Sequence, residues 1–516
     1  MVTVCGYTFL TRLCLNRSPM MRLLFPLFGL TVATLLLTAC QGPRPLAEED
    51  RPPPLLLISI DGFRHDYFDL AETPALDRLV AGGLKADSLH HVFPTKTFPA
   101  HYSMVTGCHP GTHGVVANSM WDPDRDARFS LGNRDAVGDG FWYAGCEPIW
   151  VTAENQGLTA GTFFWPGSEA RILGVRPSFW KPYAADTPHH ERIETVLEWL
   201  DLPADERPDF LTLYFSSVDS MGHRHGPRAD PVRDALVDVD RHLGTLLDEL
   251  EERGLLDRMH IILTSDHGMS RVDFDQYIML DDYLDLSRVQ VSDWGPAAQI
   301  WATDMEVEDV VAALDGAHPH LRVWARADIP DRYHFGNHRR VPDVLAEADL
   351  EWMISNKPYM MGRRQFSLYG MHGWDPALRE MHGGFVIHGP AVAAGGTMPA
   401  VRSVDLYDLM AHLLGLDPPA NDGSLDSFRP YLGSGQAAQV ERRVYDCQGE
   451  RIETRIGRAH MALHVDESVY VLDAVESDQG RRFAAADVYF HSDQAGARAE
   501  VDGRRFSACR VVLANR

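Results

Sequence analysis

The feature that most limits what this chain can fold into is a short, unbroken apolar run leading to an acidic residue, met three times. Leu55 to Ile60 (LLLISI) ends at Asp61-Gly62, Phe210 to Phe215 leads to Asp219, and His260 to Thr264 leads to Asp266-His267. A run without polar alternation is a strand covered on both faces, as parallel strands are. Amphipathic helical stretches lie between such runs, Pro188 to Leu200 and Pro231 to Gly254, the second with Leu236, Val239, Leu243, Leu246, Leu247 and Leu250 at helical spacing. The expected fold is therefore α/β, a doubly wound and mainly parallel sheet, whose ligands bind beyond the carboxyl ends of its strands. Asp61, Asp219 and Asp266 should converge at that edge.

The rhythm breaks between about Met269 and Leu368, a stretch read as an insertion that caps the site. The large domain is expected to span residues 54–434, ending at Gly433-Ser434-Gly435. From Arg442 to residue 516 short alternating strands, His460 to Val465 and Val469 to Leu472 among them, indicate a small all-β module.

At the other end, Leu23 to Ala39 is apolar, follows Arg22 and closes in Leu37-Thr38-Ala39-Cys40. It is short of the roughly 20 residues of a membrane span and has the small-residue exit of a signal peptide. Residues 1–39 are thus expected to be removed, with Cys40 lipidated and residues 40–53 as a tether; Gln41 after Cys40 favours the outer membrane of an exported, periplasm-facing bacterial lipoprotein. Four cysteines then remain, Cys108, Cys146, Cys447 and Cys509, with three possible pairings. Cys447 and Cys509 share the C-terminal module and are expected to pair, leaving Cys108 and Cys146 as a second disulfide or as two buried thiols.

Lys and Arg number 48 against 73 Asp and Glu, a formal charge of −25 that becomes −28 once Arg12, Arg17 and Arg22 leave with residues 1–39. Such a chain has no general basic face, so no stable nucleic-acid partner is expected. Phosphate chemistry would need local positive charge, and bound metal ions could supply it. Asp61, Asp219, Asp266 and His267, with His372 in Met371-His372-Gly373, form a mixed carboxylate and imidazole set that suits zinc. Thr97, in Pro94-Thr95-Lys96-Thr97-Phe98-Pro99, precedes a predicted helix from Pro99 to Val105. By local sequence it reads as an N-cap. A hydroxyl at the positive end of a helix, beside a metal, would equally make a nucleophile.

Taken in order, ISIDGFRHDY from Ile58, FPTKTFPAHYSMVTGCHPGTHGVVAN from Phe93, FFWPGSE from Phe163, ERIETVLEWLDLP from Glu191, LYFSSVDSMGHRHGP from Leu213, TSDHGM from Thr264 and GMHGWDP from Gly370 resemble the nucleotide pyrophosphatase/phosphodiesterase family of the alkaline phosphatase superfamily. The resemblance runs from about Pro54 to Leu432. It implies an alkaline-phosphatase-like fold and two zinc ions, one held by Asp219, His223 and His372, the other by Asp61, Thr97, Asp266 and His267. It makes Thr97 the nucleophile of a covalent phospho-threonine intermediate and Asn118 the donor to a phosphoryl oxygen. Phe98 and Tyr183 would sandwich a nucleobase, with Trp165 and Tyr214 as further pocket positions. The implied activity is hydrolysis of phosphodiester and pyrophosphate bonds of nucleotides to nucleoside 5′-monophosphates; a lipid-headgroup phosphodiesterase or a phosphomonoesterase of the same superfamily are the alternatives. Ala100 and Asp375-Pro376 depart from the family pattern, and neither position is among the ligands.

The tail from Val444 to Val511 resembles the small β-barrel inhibitors of c-type lysozyme, through Tyr445-Asp446-Cys447, Val469 to Leu472, Ser477 to Phe483, and Ala497 through Asp502-Gly503 to Cys509. That resemblance implies a barrel stapled by Cys447 and Cys509 and a possible c-type lysozyme partner. Phe490-His491-Ser492-Asp493 stands where the inhibitors carry a lysine, so the partner is expected only if Ser477 suffices; the alternative is a structural appendage.

Overall fold

The computed structural model describes residues 51–362, 368–433, 440–457 and 459–515. Cys40, the expected leader and most of the tether lie outside the described residues, as does the linker segment 434–439. Leu55–Ile60 is the central strand of an eight-stranded sheet, paired in parallel with Phe210–Phe215 on one side and His260–Thr264 on the other. Ala160–Phe163 and Phe179–Lys181 continue the parallel half. Beyond His260–Thr264 the sheet turns mixed, since Phe385–His388 runs antiparallel to it and to Leu84–Ala86, which pairs in parallel with Gly396–Met398.

The apolar run is continuous because each face of the strand feeds a separate core. Leu55 and Leu57 pack with Phe210, Ile262 and Phe385, whereas Leu56, Ile58 and Ile60 pack with Leu211, Leu213 and Leu236. Helix Thr97–Thr106 covers the first face through Tyr102, Met104 and Val105. Helices His189–Leu200 and Asp230–Glu252 cover the second, within two residues of the bounds their periodicity predicts. The longer helix buries Val232, Leu236, Val239, Leu243, Leu246, Leu247 and Leu250 on one side, each side chain worth about 2 kcal/mol of burial.

The stretch from 269 to 368 carries its own four-stranded antiparallel sheet, in the order Val289–Asp293, Ala297–Ala302, Val344–Ala348, Leu321–Ala325, with helix Val307–Leu314 against it. Ile278, Ile300, Val310, Leu314 and Val344 form its separate core. The C-terminal module is a closed barrel of eight antiparallel strands from Glu441–Cys447 to Arg504–Asn515. Both disulfides are present, Cys108–Cys146 and Cys447–Cys509. Among the described residues no helix is long and apolar enough to cross a membrane.

Candidate active site

The strand ends deliver their acids to one place. Asp61 continues the ladder, its N–H donating to the Phe215 carbonyl at 2.8 Å, and Gly62 then turns with φ +69°. A Cβ on Gly62 would lie 3.0 Å from Cα and Cβ of Asp219, so glycine allows the two acidic segments to touch. Asp219 sits in the first turn of helix Ser217–His225, tied by its N–H to the Asp61 carbonyl. The helix places His223 four residues on, with Nε2 3.2 Å from Asp219 Oδ1. Asp266 and His267 follow their strand after a single residue, Ser265, and are fully buried.

Three histidines are oriented in the same way. Nδ1 of His223 donates to the Gly370 carbonyl, that of His267 to Gly268 and that of His372 to Thr95, at 2.8–2.9 Å. A carbonyl only accepts, so each ring carries its proton on Nδ1 and presents an Nε2 lone pair, the arrangement of a metal-ligating imidazole with its outer support. His225, by contrast, is exposed. His267 and His372 stack, centroids 3.3 Å apart.

Opposite these lone pairs stand carboxylate oxygens with no hydrogen-bond partner: Asp61 Oδ1, Asp266 Oδ2 and Asp219 Oδ1. Asp61 Oδ1 and Asp266 Oδ2 lie 3.3 and 3.0 Å from His267 Nε2, and Asp219 Oδ1 is 3.8 Å from His372 Nε2. The ligand atoms fall into two groups, Asp61/Asp266/His267 and Asp219/His267/His372, with His223 joining the second through Asp219. Buried carboxylates without partners are costly unless a cation joins them, and this mixture of oxygen and imidazole donors fits zinc. Burial pushes the Asp61 carboxyl well above the usual range, and Asp266 and Asp219 push it further. Burial, then His267 and His223, keep His372 neutral well below the ordinary imidazole range. A third group, His189, Asp238 and His242, lies on the outer helices. There Asp238 pairs with Arg241 at 2.6 Å and His242 Nδ1 donates to the Asp238 carbonyl at 2.7 Å, so these two residues have protein partners already.

Thr97 opens its helix at the first helical position, two residues earlier than predicted; Lys96, in extended conformation, is the cap residue. The Thr97 hydroxyl is consequently free of the capping role its local sequence implied and lies 3.5 Å from His267 Nε2. Asn118 accepts the Phe98 N–H at 2.9 Å through its side-chain oxygen, which holds the amide at this helix end with its NH₂ left as a donor. His101 bridges Ser59 and the Thr97 carbonyl, and its Nδ1 lies 3.3 Å from Asp266 Oδ2, so it supports the site from behind.

Of the aromatic residues singled out, Phe98 is half-buried and Tyr183 exposed, so both present ring surface. Tyr214 is buried and its hydroxyl donates to Asp61 Oδ2. Trp165 is also buried, edge-on to the His101 ring, with its indole N–H on the His101 carbonyl at 3.1 Å. One pairing had no signal in the sequence, that of Lys96 with Asp293. Lys96 is buried and paired with Asp293 of the insertion, also donating to the Trp294 carbonyl at 3.1 Å, so its charge is spent on the contact with the insertion.

Comparison with known proteins accords with this geometry. The model of the family described as type I phosphodiesterase/nucleotide pyrophosphatase matches residues 55–375. Ectonucleotide pyrophosphatase/phosphodiesterase family member 1 of Mus musculus is 39% identical over 396 residues, which are 74% of this chain and 43% of that protein, so the chain spans less than half of that relative's length. Bis(5′-adenosyl)-triphosphatase ENPP4 of Bos taurus is 36% identical over 391 residues, 75% of this chain and 83% of that one. Among solved structures, an inactive variant of murine ectonucleotide pyrophosphatase/phosphodiesterase 5 in complex with AMP superposes with a TM-score of 0.70 at 35% identity, covering 74% of this chain and 100% of that chain. By this match, and by the fold and site that accompany it, the chain belongs to the type I phosphodiesterase/nucleotide pyrophosphatase family.

Proposed function

We propose that the protein is a zinc-dependent hydrolase of nucleotide phosphodiester and pyrophosphate bonds that releases nucleoside 5′-monophosphates through a phospho-Thr97 intermediate. The observation that carries the reading is the position of the Thr97 hydroxyl: unbonded by a cap, at a helix N-terminus, 3.5 Å from the imidazole nitrogen shared by both donor groups. Asp61, Thr97, Asp266 and His267 would hold one zinc ion, and Asp219, His223 and His372 the other. Bound zinc lowers the pKa of a coordinated hydroxyl and neutralises the phosphoryl oxygens.

The rest is performed by the chain. Thr97 Oγ1 gives up its proton to solvent and forms a bond to phosphorus while the bond to the leaving oxygen breaks in line. Water then displaces Oγ1, the monophosphate departs and the hydroxyl regains its proton. Two inversions give retention at phosphorus. The helix N-terminus favours the anion, and the neutral Asn118 amide donates to a non-bridging oxygen, which suits a diester because its phosphorus still carries an organic group. Phe98 and Tyr183 offer the ring faces on which a base stacks, while Tyr214 fixes the second oxygen of Asp61 and Trp165 fixes the His101 backbone. That a similar structure contains AMP supports the substrate class.

The test is turnover of para-nitrophenyl thymidine monophosphate against para-nitrophenyl phosphate. A clear preference for the diester is expected, and a preference for the monoester would overturn the assignment. We also place the enzyme in the bacterial envelope, anchored by lipid on Cys40; a Cys40→Ala protein should leave the membrane fraction. We further propose that the barrel binds a c-type lysozyme through Ser477; calorimetric titration of the full chain with lysozyme should show binding, and no heat of binding would overturn it.

A further inference from the structure

The segment that carries His372 is held from both ends. Upstream, the Thr95 carbonyl receives His372 Nδ1–H, and the Thr95 hydroxyl receives the Gly373 N–H at 3.0 Å while donating to the Trp374 carbonyl at 2.9 Å. Downstream, the segment touches both the insertion and the barrel, while Arg379 also reaches back to His65 and Asp87 of the large domain. Arg332 of the insertion grips Asp375 with two parallel hydrogen bonds of 2.7 and 2.6 Å, and its remaining Nε–H reaches Asp502 of the barrel at 2.8 Å. Asp502 in turn accepts from the Tyr470 hydroxyl, and Tyr333 donates to Asp375. Both Arg332 and Asp375 are nearly buried, with side chains 12% and 8% exposed, so this is a desolvated charge pair rather than a surface one.

The backbone is joined as well. The Val469 N–H of the barrel donates to the Ala377 carbonyl at 2.8 Å, Arg379 N–H donates to the Glu467 carbonyl at 3.1 Å, and Leu378 forms a bridge with Ser468. Ala377 packs in the same apolar cluster as Tyr445, Leu463 and Leu472 of the barrel. Residues 375–379 thus behave as a strap laid on the barrel, beginning three residues after a proposed zinc ligand.

Building on the two-zinc reading above, we propose that the C-terminal barrel is a positioning element of the active site: through Arg332 and the 375–379 strap it fixes His372, and with it the metal affinity of the Asp219/His223/His372 group. Arg332 and Asp502 are positioning residues, since neither touches the proposed ligands. Outer support of this kind changes metal affinity by about 10–100-fold when removed.

The experiment is a chelator titration of the zinc-loaded full-length protein, following release of each zinc equivalent, alongside hydrogen exchange over residues 373–379. In Arg332→Ala one of the two equivalents should leave at about 10–100-fold lower chelator concentration while the other is unchanged, exchange in 373–379 should quicken, and added zinc should restore kcat. Arg332→Lys, which keeps the charge and loses the two-pronged geometry, should fall between. Asp502 has φ +50°, so Asp502→Gly deletes the barrel's carboxylate without backbone strain, keeps the module folded, and should show the same selective loss several-fold. Arg442→Ala, which removes only the barrel's own pair with Glu453, should match wild type. Equal release of both equivalents in folded Asp502→Gly and Arg332→Lys, at the wild-type chelator concentration, would overturn the proposal. A wild-type protein that holds no zinc at all would instead defeat the function proposed above, and the reference titration shows that separately.

Discussion

The two halves of the donor cluster are built by different means. Asp61, Asp266 and His267 hang from adjacent parallel strands, and their side chains are at most 3% exposed. Asp219 and His223 come from a helix beyond a strand end and His372 from a loop, with side chains 17%, 22% and 5% exposed. The first half is placed by the sheet itself. The second relies on contacts from residues far away in the chain, including the barrel. A site assembled this way has a rigid half and a half that distant parts can tune.

Changes at the shared point should matter most. Thr97→Ala should reduce turnover by on the order of 10⁴-fold while leaving zinc content and Tm near wild type; retained hydrolysis would remove Thr97 as nucleophile. His223→Ala should lower kcat/KM at least about 100-fold and release one zinc equivalent, sparing the sheet-built half. Loss of both equivalents would show that the halves are not independent. Converting Cys447 and Cys509 together to Ser should cost about 4 kcal/mol, and in a module this small that is most of its stability. The barrel should then melt ahead of the large domain in a calorimetric scan, whereas the Cys108/Cys146 double change should leave a single, lower transition.

The smallest effect concerns pH. Glu347, in the insertion's sheet beside Tyr333, is pushed up to about 7, chiefly by burial and then by Asp375, against the pull of Arg322. Its folded-state value lies above the ordinary 4.5. Between those two values the folded protein keeps a proton that the unfolded chain has released, so stability falls as pH rises through this window and levels off above it. Glu347→Gln should therefore raise Tm by a few degrees at about pH 8, with the gain vanishing near pH 4. A gain independent of pH would assign the effect to packing instead.

Much of this was legible in the sequence, for definite reasons. The strands announced themselves because burial on both faces demands unbroken apolar runs, as in Leu55–Ile60, and the acids that follow could only emerge at one edge. The order of motifs points to Thr97, Asn118 and the proposed ligand residues as one set. The helix holding Asp219 was not legible, since Ser-Val-Asp-Ser-Met-Gly-His has little intrinsic helicity; it is held by the Asp219–Asp61 backbone bond and by Gly222, where a Cβ would come within 2.9 Å of Met269. Lys96 with Asp293, and Arg332 with Asp375 and Asp502, escaped for a simpler reason. Such pairs join residues distant in sequence, and neither member carries a local pattern that names its partner. The burial of Trp165 and the bond from Tyr214 to Asp61 likewise depend on tertiary placement.

Two metal ions are proposed to bind side by side, one of them against the Thr97 hydroxyl. Anomalous diffraction at the zinc edge from crystals grown with zinc tests it most directly. Two peaks about 4 Å apart are predicted, one among Asp61, Thr97, Asp266 and His267, the other among Asp219, His223 and His372. A single peak, or peaks only at His189, Asp238 and His242, would contradict it.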